Sequence, residues 1–139
     1  MFFFFLGARE AFDSPELERF ANALETTQIR YPGMTMPMLA TLLRIGMSPV
    51  REGDVVSVSD IVARSPGQKY PTIARQLDLL GEGNEKASGL GLVEKQPDLK
   101  DRRIRYVAIS ERGKQLLYEL DLILAPALLD DLRPRTHEN

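Results

Sequence analysis

The chain has 139 residues, with 18 Lys and Arg against 20 Asp and Glu, a single His and no Cys. That length points to one domain able to bury a real core. Disulfide and thiolate chemistry are closed to it, and His137 alone supplies neither a zinc ligand set nor the base of a Ser-His-Asp mechanism.

Residues 1–6 read MFFFFL, too short to span a membrane and without the basic start of a signal peptide. The expectation is a cytoplasmic protein with no membrane contact, whose apolar end buries itself against a partner chain. Ser14-Pro15-Glu16 then spells a helix start, since Ser caps free amides and Pro suits a first turn. Leu17, Phe20, Ala21 and Leu24 recur at helical spacing as its apolar face. Pro32-Gly33 ends it.

Thr35 caps a second helix with Pro37 in its first turn. Met38, Leu39, Leu42, Leu43 and Ile45 form a broad apolar face, and Gly46 with Pro49 terminates it. After a polar loop at 51–54, Val55-Val56 reads as a short strand. Ser57-Val58-Ser59-Asp60 spells a capping box, and Val58, Ile61 and Val62 share one face of a helix of about two turns. Ser65-Pro66-Gly67-Gln68 is a turn. Pro71 opens the next helix, with Ile73, Leu77 and Leu80 on one face and Thr72, Arg75, Gln76 and Leu79 on the other. Two short helices joined by a Gly-containing turn spell a helix-turn-helix.

Residues 81–91 (GEGNEKASGLG) read as a flexible loop, without the spacing of a phosphate-cradling P-loop. Residues 92–96 and 104–110 suit two paired strands, and the polar stretch 97–103 between them suits a projecting hairpin tip. Ser110 caps the last helix, with Glu111 near its positive end. Leu116, Leu117, Leu120, Leu122, Ile123 and Leu124 make that helix apolar on more than one face. Pro126 should kink it, and Leu128, Leu129 and Leu132 continue the pattern. So apolar a helix in so small a chain predicts an oligomer interface.

The near-neutral total hides a segregation of charge. Residues 1–59 carry 5 basic and 7 acidic side chains, residues 60–114 carry 11 and 8, and residues 115–139 carry 2 and 5. The densest stretch, 95–114, has 7 basic against 3 acidic residues. A positive middle on an acidic body suits an anion-binding surface. The adjacent carboxylates Asp130 and Asp131 point in different directions on a helix and make a poor acid-base pair, so no enzyme is expected, and no cofactor or metal.

The segment LVEKQPDLKDRRIRYVAISERGKQLL (92–117) resembles the wing of the multiple-antibiotic-resistance regulator (MarR) family. That family carries an Asp-x-Arg tip, a β-branched strand, then Ser/Thr-x-x-Gly opening a long dimerisation helix. Here those positions are Asp101, Arg103, Val107, Ile109, Ser110 and Gly113. MTMPMLATLL (34–43) resembles the helix preceding the family's DNA-reading unit, and the likeness spans roughly 34–120. It implies a mainly α fold with a small β-hairpin wing (α+β). This would be a winged helix-turn-helix (34–114) between an N-terminal dimerisation segment (1–33) and a C-terminal dimerisation helix (115–139).

The resemblance further implies a homodimer that sets two recognition helices in successive major grooves of pseudo-palindromic double-stranded DNA, most simply as a repressor. A small aromatic effector would sit between the dimer helices and the DNA-binding lobe. On that reading Arg75 and Gln76 face base edges, where paired donors and acceptors discriminate. Thr72 makes a phosphate or methyl contact, and Lys69 and Tyr70 hold backbone phosphate. Arg103 enters the minor groove braced by Asp101, and Lys100, Arg102 and Arg105 add phosphate contacts. Blander roles stand beside these: Arg75 as a solvated helix residue, Arg102 and Arg103 as protection for a sheet edge, Tyr70 as packing. The acidic total and the thinly basic recognition helix also fit a winged-helix module that binds protein and not DNA.

Overall fold

The computed structural model describes residues 11–97 and 104–125. The apolar run 1–6, the tip residues Lys100, Asp101, Arg102 and Arg103, and everything from Pro126 on, with Asp130, Asp131 and His137, lie outside the described residues.

The described chain runs α1 (Pro15–Arg30), α2 (Met36–Met47), β1 (Val56–Ser57), α3 (Val58–Ala63), α4 (Tyr70–Leu80), β2 (Val93–Pro97), β3 (Arg105–Ile109) and α5 (Glu111–Leu124). The strands form an antiparallel sheet in the order β1-β3-β2, with Val56 and Lys95 flanking Val107 from either side. This is the order of a winged helix-turn-helix, mainly α with a small sheet.

Local chemistry explains the helix starts. Ser14 accepts from Leu17 N, Thr35 from Met38 N, Ser57 from Ser59 N and Ser110 from Gly113 N, so α1, α2, α3 and α5 each open on a hydroxyl cap. The capping box at 57–60 is only half made. Asp60 turns to Arg51 at 2.9 Å. Leu42 and Ile45 of α2, Ile61 of α3, Ile73 and Leu80 of α4, Leu92, Val107 of β3 and Leu116 of α5 are fully buried, and this set is the core.

Three expectations need correction. The face Leu17, Phe20 and Ala21 of α1 is exposed, Leu24 is only half-buried, and α1 instead buries Ala23 and Thr27. Gly46 does not end α2. It lies inside the helix, where an added Cβ would meet Leu117 Cδ1 of α5 at 3.1 Å. The loop 81–91 is tightly organised. Gly83 N donates to Asp78 O at 2.7 Å, Leu90 N to Leu79 O at 3.0 Å, and Gly91 N to Gly81 O at 3.0 Å. Asn84 Oδ1 accepts from Lys86 N and Ala87 N, an Asx turn. Gly83 sits at φ +92°, and a Cβ there would strike the backbone of Ala87 and Gly89, so its glycine content serves close approach.

α5 packs on α1, with Arg30 bridging to Glu119 at 3.0 Å. Ser110 has a second role at the start of α5, since its hydroxyl also donates to Gly91 O at 2.7 Å and so pins the end of the loop. Ser110→Ala is therefore expected to cost about 1–2 kcal/mol, read as a lower urea midpoint at unchanged slope.

Candidate nucleic-acid interface

α3 and α4 are joined by residues 64–69, and Gly67 at φ +76° supplies the left-handed step in the turn. Ser65 is buried and donates to Ile61 O at 2.7 Å, which fixes the turn to the end of α3. Arg64 is the C-cap of α3 and Lys69 the N-cap of α4, so two cations flank the turn. α4 differs from the other described helices in carrying no side-chain cap bond at its start. Its first-turn amides are thus left for an acceptor from elsewhere, and the end of the helix dipole favours an anion.

The sequence-predicted residues separate on this frame. Lys69, Tyr70 and Arg75 are exposed, and Thr72 is half-buried beside them on α4. Gln76 is a correction: only 4% exposed, it cannot offer its amide to a groove. The helical period explains why, since at 100° per residue position 76 falls within about 60° of Ile73 and Leu80, on the buried side. Its Oε1 has no hydrogen-bond partner among the described residues. An unpaired buried acceptor is costly, so Gln76→Leu is expected to raise stability by about 1 kcal/mol, measured by chemical denaturation. Arg105 is exposed on another element, at the end of the hairpin nearest residue 104.

The electrostatics of the unit are sharper than its composition suggests. From 58 to 80 there are two acids, Asp60 and Asp78, and three bases, Arg64, Lys69 and Arg75. Both acids are engaged: Asp60 with Arg51, and Asp78 with Lys95 of β2. The hydrogen bond and charge of Asp60 hold the Arg51 guanidinium above its ordinary pKa. Among the described residues none of Arg64, Lys69, Arg75 and Arg105 enters an ion pair. Neutralised acids beside unpaired cations leave a net positive field over the turn and the outward face of α4. The Lys95–Asp78 pair also links the hairpin to α4. Sequence reasoning overlooked Arg64 and both ion pairs. Arg64 was findable as the basic residue at the turn between two short helices; the pairings, which link positions 9 and 17 residues apart, were not.

Elsewhere, no group of three His, Cys, Asp or Glu among the described residues is placed to hold a metal ion, and no described helix is long and apolar enough to cross a membrane. A cleft of about 260 Å³ opens between α1 and the start of α2, lined by Leu24, Thr27, Gln28, Met34, Thr35, Met36 and Leu39.

A helix-turn-helix with an antiparallel hairpin, bounded by two packed outer helices, defines a winged-helix protein. No family model matches the sequence, and neither does any curated protein. Solved structures do match the fold. Rv1404 from Mycobacterium tuberculosis superposes with a TM-score of 0.61 at 14% identity, covering 94% of this chain and 86% of that one. A DNA complex of MepR from S. aureus gives 0.59 at 16% identity, with 84% of each chain covered. AbsC, a MarR family transcriptional regulator from Streptomyces coelicolor, gives 0.51 at 18%, covering 92% of this chain and 86% of that one. The chain has the winged-helix fold of the MarR type.

Proposed function

We propose that this protein is a DNA-binding transcriptional regulator, a homodimeric repressor of the MarR type and not an enzyme, acting in the cytoplasm on pseudo-palindromic duplex DNA. The observation that carries the reading is the charge state of the helix-turn-helix: both acids are paired, while Arg64, Lys69 and Arg75 enter no ion pair among the described residues. α4 enters the major groove. Arg75 faces a base edge, Thr72 a phosphate or a thymine methyl, and Lys69 and Tyr70 the backbone beside the uncapped helix start. The hairpin lies along the neighbouring minor groove with Arg105 on phosphate. On the sequence resemblance, Lys100 and Arg102 add phosphate contacts, and Arg103, braced by Asp101, reads the minor groove. Two fold neighbours, MepR of S. aureus and a MarR mutant of E. coli, have been solved in complexes with DNA, which supports DNA as the partner.

The dimer rests on α1 and α5, which keep Leu17, Phe20, Tyr118 and Leu122 at the surface. So many exposed large apolar side chains on one packed helix pair suit a covered interface. Residues 1–33 and 115–139 then serve dimerisation and 34–114 DNA binding. A small aromatic effector is assigned to the cleft between α1 and α2, which lies where these two parts meet.

The test is a salt titration of binding to duplex DNA, with the oligomeric state measured alongside. Four phosphate-contacting cations per subunit, Lys69, Lys100, Arg102 and Arg105, doubled in a dimer, predict a slope of log affinity on log salt of about −7. Negligible binding with a flat salt response would reject the regulator and favour a winged-helix module that binds protein, the reading that the net charge of −2 supports.

A further inference from the structure

The outward face of α4 is defined by which of its polar residues are free to act. Tyr70, Thr72, Arg75, Gln76 and Asp78 are the polar side chains of this helix. Gln76 is buried, and Asp78 is held by Lys95 of β2. No free amide or carboxylate therefore remains on the exposed face to accept from the amino group of adenine or cytosine, the contact that selects those bases. What remains is one guanidinium, Arg75, in no ion pair among the described residues, and its neighbours one turn back. At 100° per residue, Pro71 and Thr72 fall about 40° and 60° to either side of Arg75. Pro71 is exposed and Thr72 half-buried. Side chains on a helix lean toward its N-terminus, so the Arg75 stem lies over the turn that holds these two. One donor group is thereby flanked by a proline ring and a threonine side chain.

We propose that α4 reads a methyl mark on DNA: a pyrimidine carrying a 5-methyl group on the 5′ side of a guanine. Thymine and 5-methylcytosine are then accepted alike, while uracil and unmethylated cytosine are disfavoured. Arg75 donates to O6 and N7 of the guanine. Stacked bases lie about 3.4 Å apart, and the C5 substituent of the preceding pyrimidine projects into the same groove beside that guanine edge. Pro71 and Thr72, flanking the guanidinium, cover the methyl group and remove it from water. Burying one such group is worth about fourfold in affinity. The Thr72 hydroxyl both donates and accepts, so it favours neither O4 of thymine nor the amino group of 5-methylcytosine. The preference rests on the regulator reading. On it, methylation of cytosine in a CG step becomes a signal that raises occupancy of the site.

The test starts from a site selected by the full chain out of random duplex DNA, which is expected to contain a guanine in each half-site. The base on its 5′ side is then made thymine or uracil opposite adenine, and cytosine or 5-methylcytosine opposite guanine. Each pair of duplexes differs by a single methyl group, and binding is measured by fluorescence anisotropy at one salt concentration. Thymine over uracil and 5-methylcytosine over cytosine are each expected to gain about tenfold when both half-sites are altered together. Thr72→Ser keeps the hydroxyl and drops the side-chain methyl, so it is expected to shrink both ratios. Lys69→Ala should lower all four affinities and leave the ratios unchanged. Equal binding within both pairs overturns the proposal, as does a selected site without guanine; in either case duplex binding itself stands, and with it the regulator reading. Ratios that survive Thr72→Ser undiminished overturn it too, because the methyl is then sensed through the DNA and not by α4. If no duplex is bound at low salt, the regulator reading falls and the methyl preference falls with it.

Discussion

Arg75→Ala is expected to weaken binding to a selected DNA site by about tenfold to a hundredfold, and to relax the base preference at one position of each half-site. The range follows from the roughly 1–3 kcal/mol of discrimination carried by a guanidinium on a guanine edge. Arg75 is suited to that role because it is exposed on α4, outside any ion pair among the described residues, and three residues from Thr72 on a face that the core does not claim. Lys69→Ala should behave differently. As a phosphate contact at the helix start it carries no sequence information, so affinity should fall evenly across all sequences and the salt slope should lose about one unit per subunit. Fluorescence anisotropy on the selected site and on scrambled duplexes, at several salt concentrations, separates these patterns. A uniform loss for Arg75→Ala, with base preference intact, would move it from base contact to phosphate contact.

The contrast between Arg75 and its neighbour Gln76 illustrates what a sequence discloses. Adjacent residues on a helix diverge by about 100°, so one of the two was bound to turn toward Ile73 and Leu80. The polar identity of Gln76 suggested the surface; the period, followed strictly, places it inside. The helix starts were legible because capping is local, and Ser14, Thr35, Ser57 and Ser110 all accept from an amide two or three residues on. The order of helices and strands was legible for the same reason. Long-range facts were not. The glycines of 81–91 look like flexibility until the ladder from Asp78, Leu79 and Gly81 is seen to need their bare backbone. Leu17 and Phe20 look like core because spacing cannot distinguish a face buried within a chain from one left exposed. The positive field of the site depends on Arg51 and Lys95, which belong to neither helix of the unit, so no count over the helix-turn-helix could find it.

Gly113→Ala is expected to destabilise the protein by about 2–3 kcal/mol, against the usual sign of a Gly to Ala change within a helix. Alanine is normally favoured there by about 1 kcal/mol. At position 113 of α5 an added Cβ would lie 2.6 Å from Ile109 Cγ2 and closer still to the carbonyl oxygen of Leu92. That carbonyl is fixed, since it accepts from Ser110 N at 3.0 Å where β3 passes into α5. Backbone cannot yield as a side chain can, so relief requires α5 to lift from the sheet, and overpacking of this kind costs about 1–3 kcal/mol before the lost hydrogen bonds are counted. The Ser-x-x-Gly spacing thereby gains a physical meaning: the serine caps the helix and the glycine lets its first turn lie on the strand end. Gly46→Ala is the matched control. Its Cβ would meet only the flexible tip of Leu117, at 3.1 Å, so the helix preference and the crowding should nearly cancel, within about 1 kcal/mol. Urea denaturation of both variants beside the parent decides the matter. Should Gly113→Ala prove as stable as Gly46→Ala, the close seating of α5 on Leu92 is wrong, and with it the geometry that aims the hairpin.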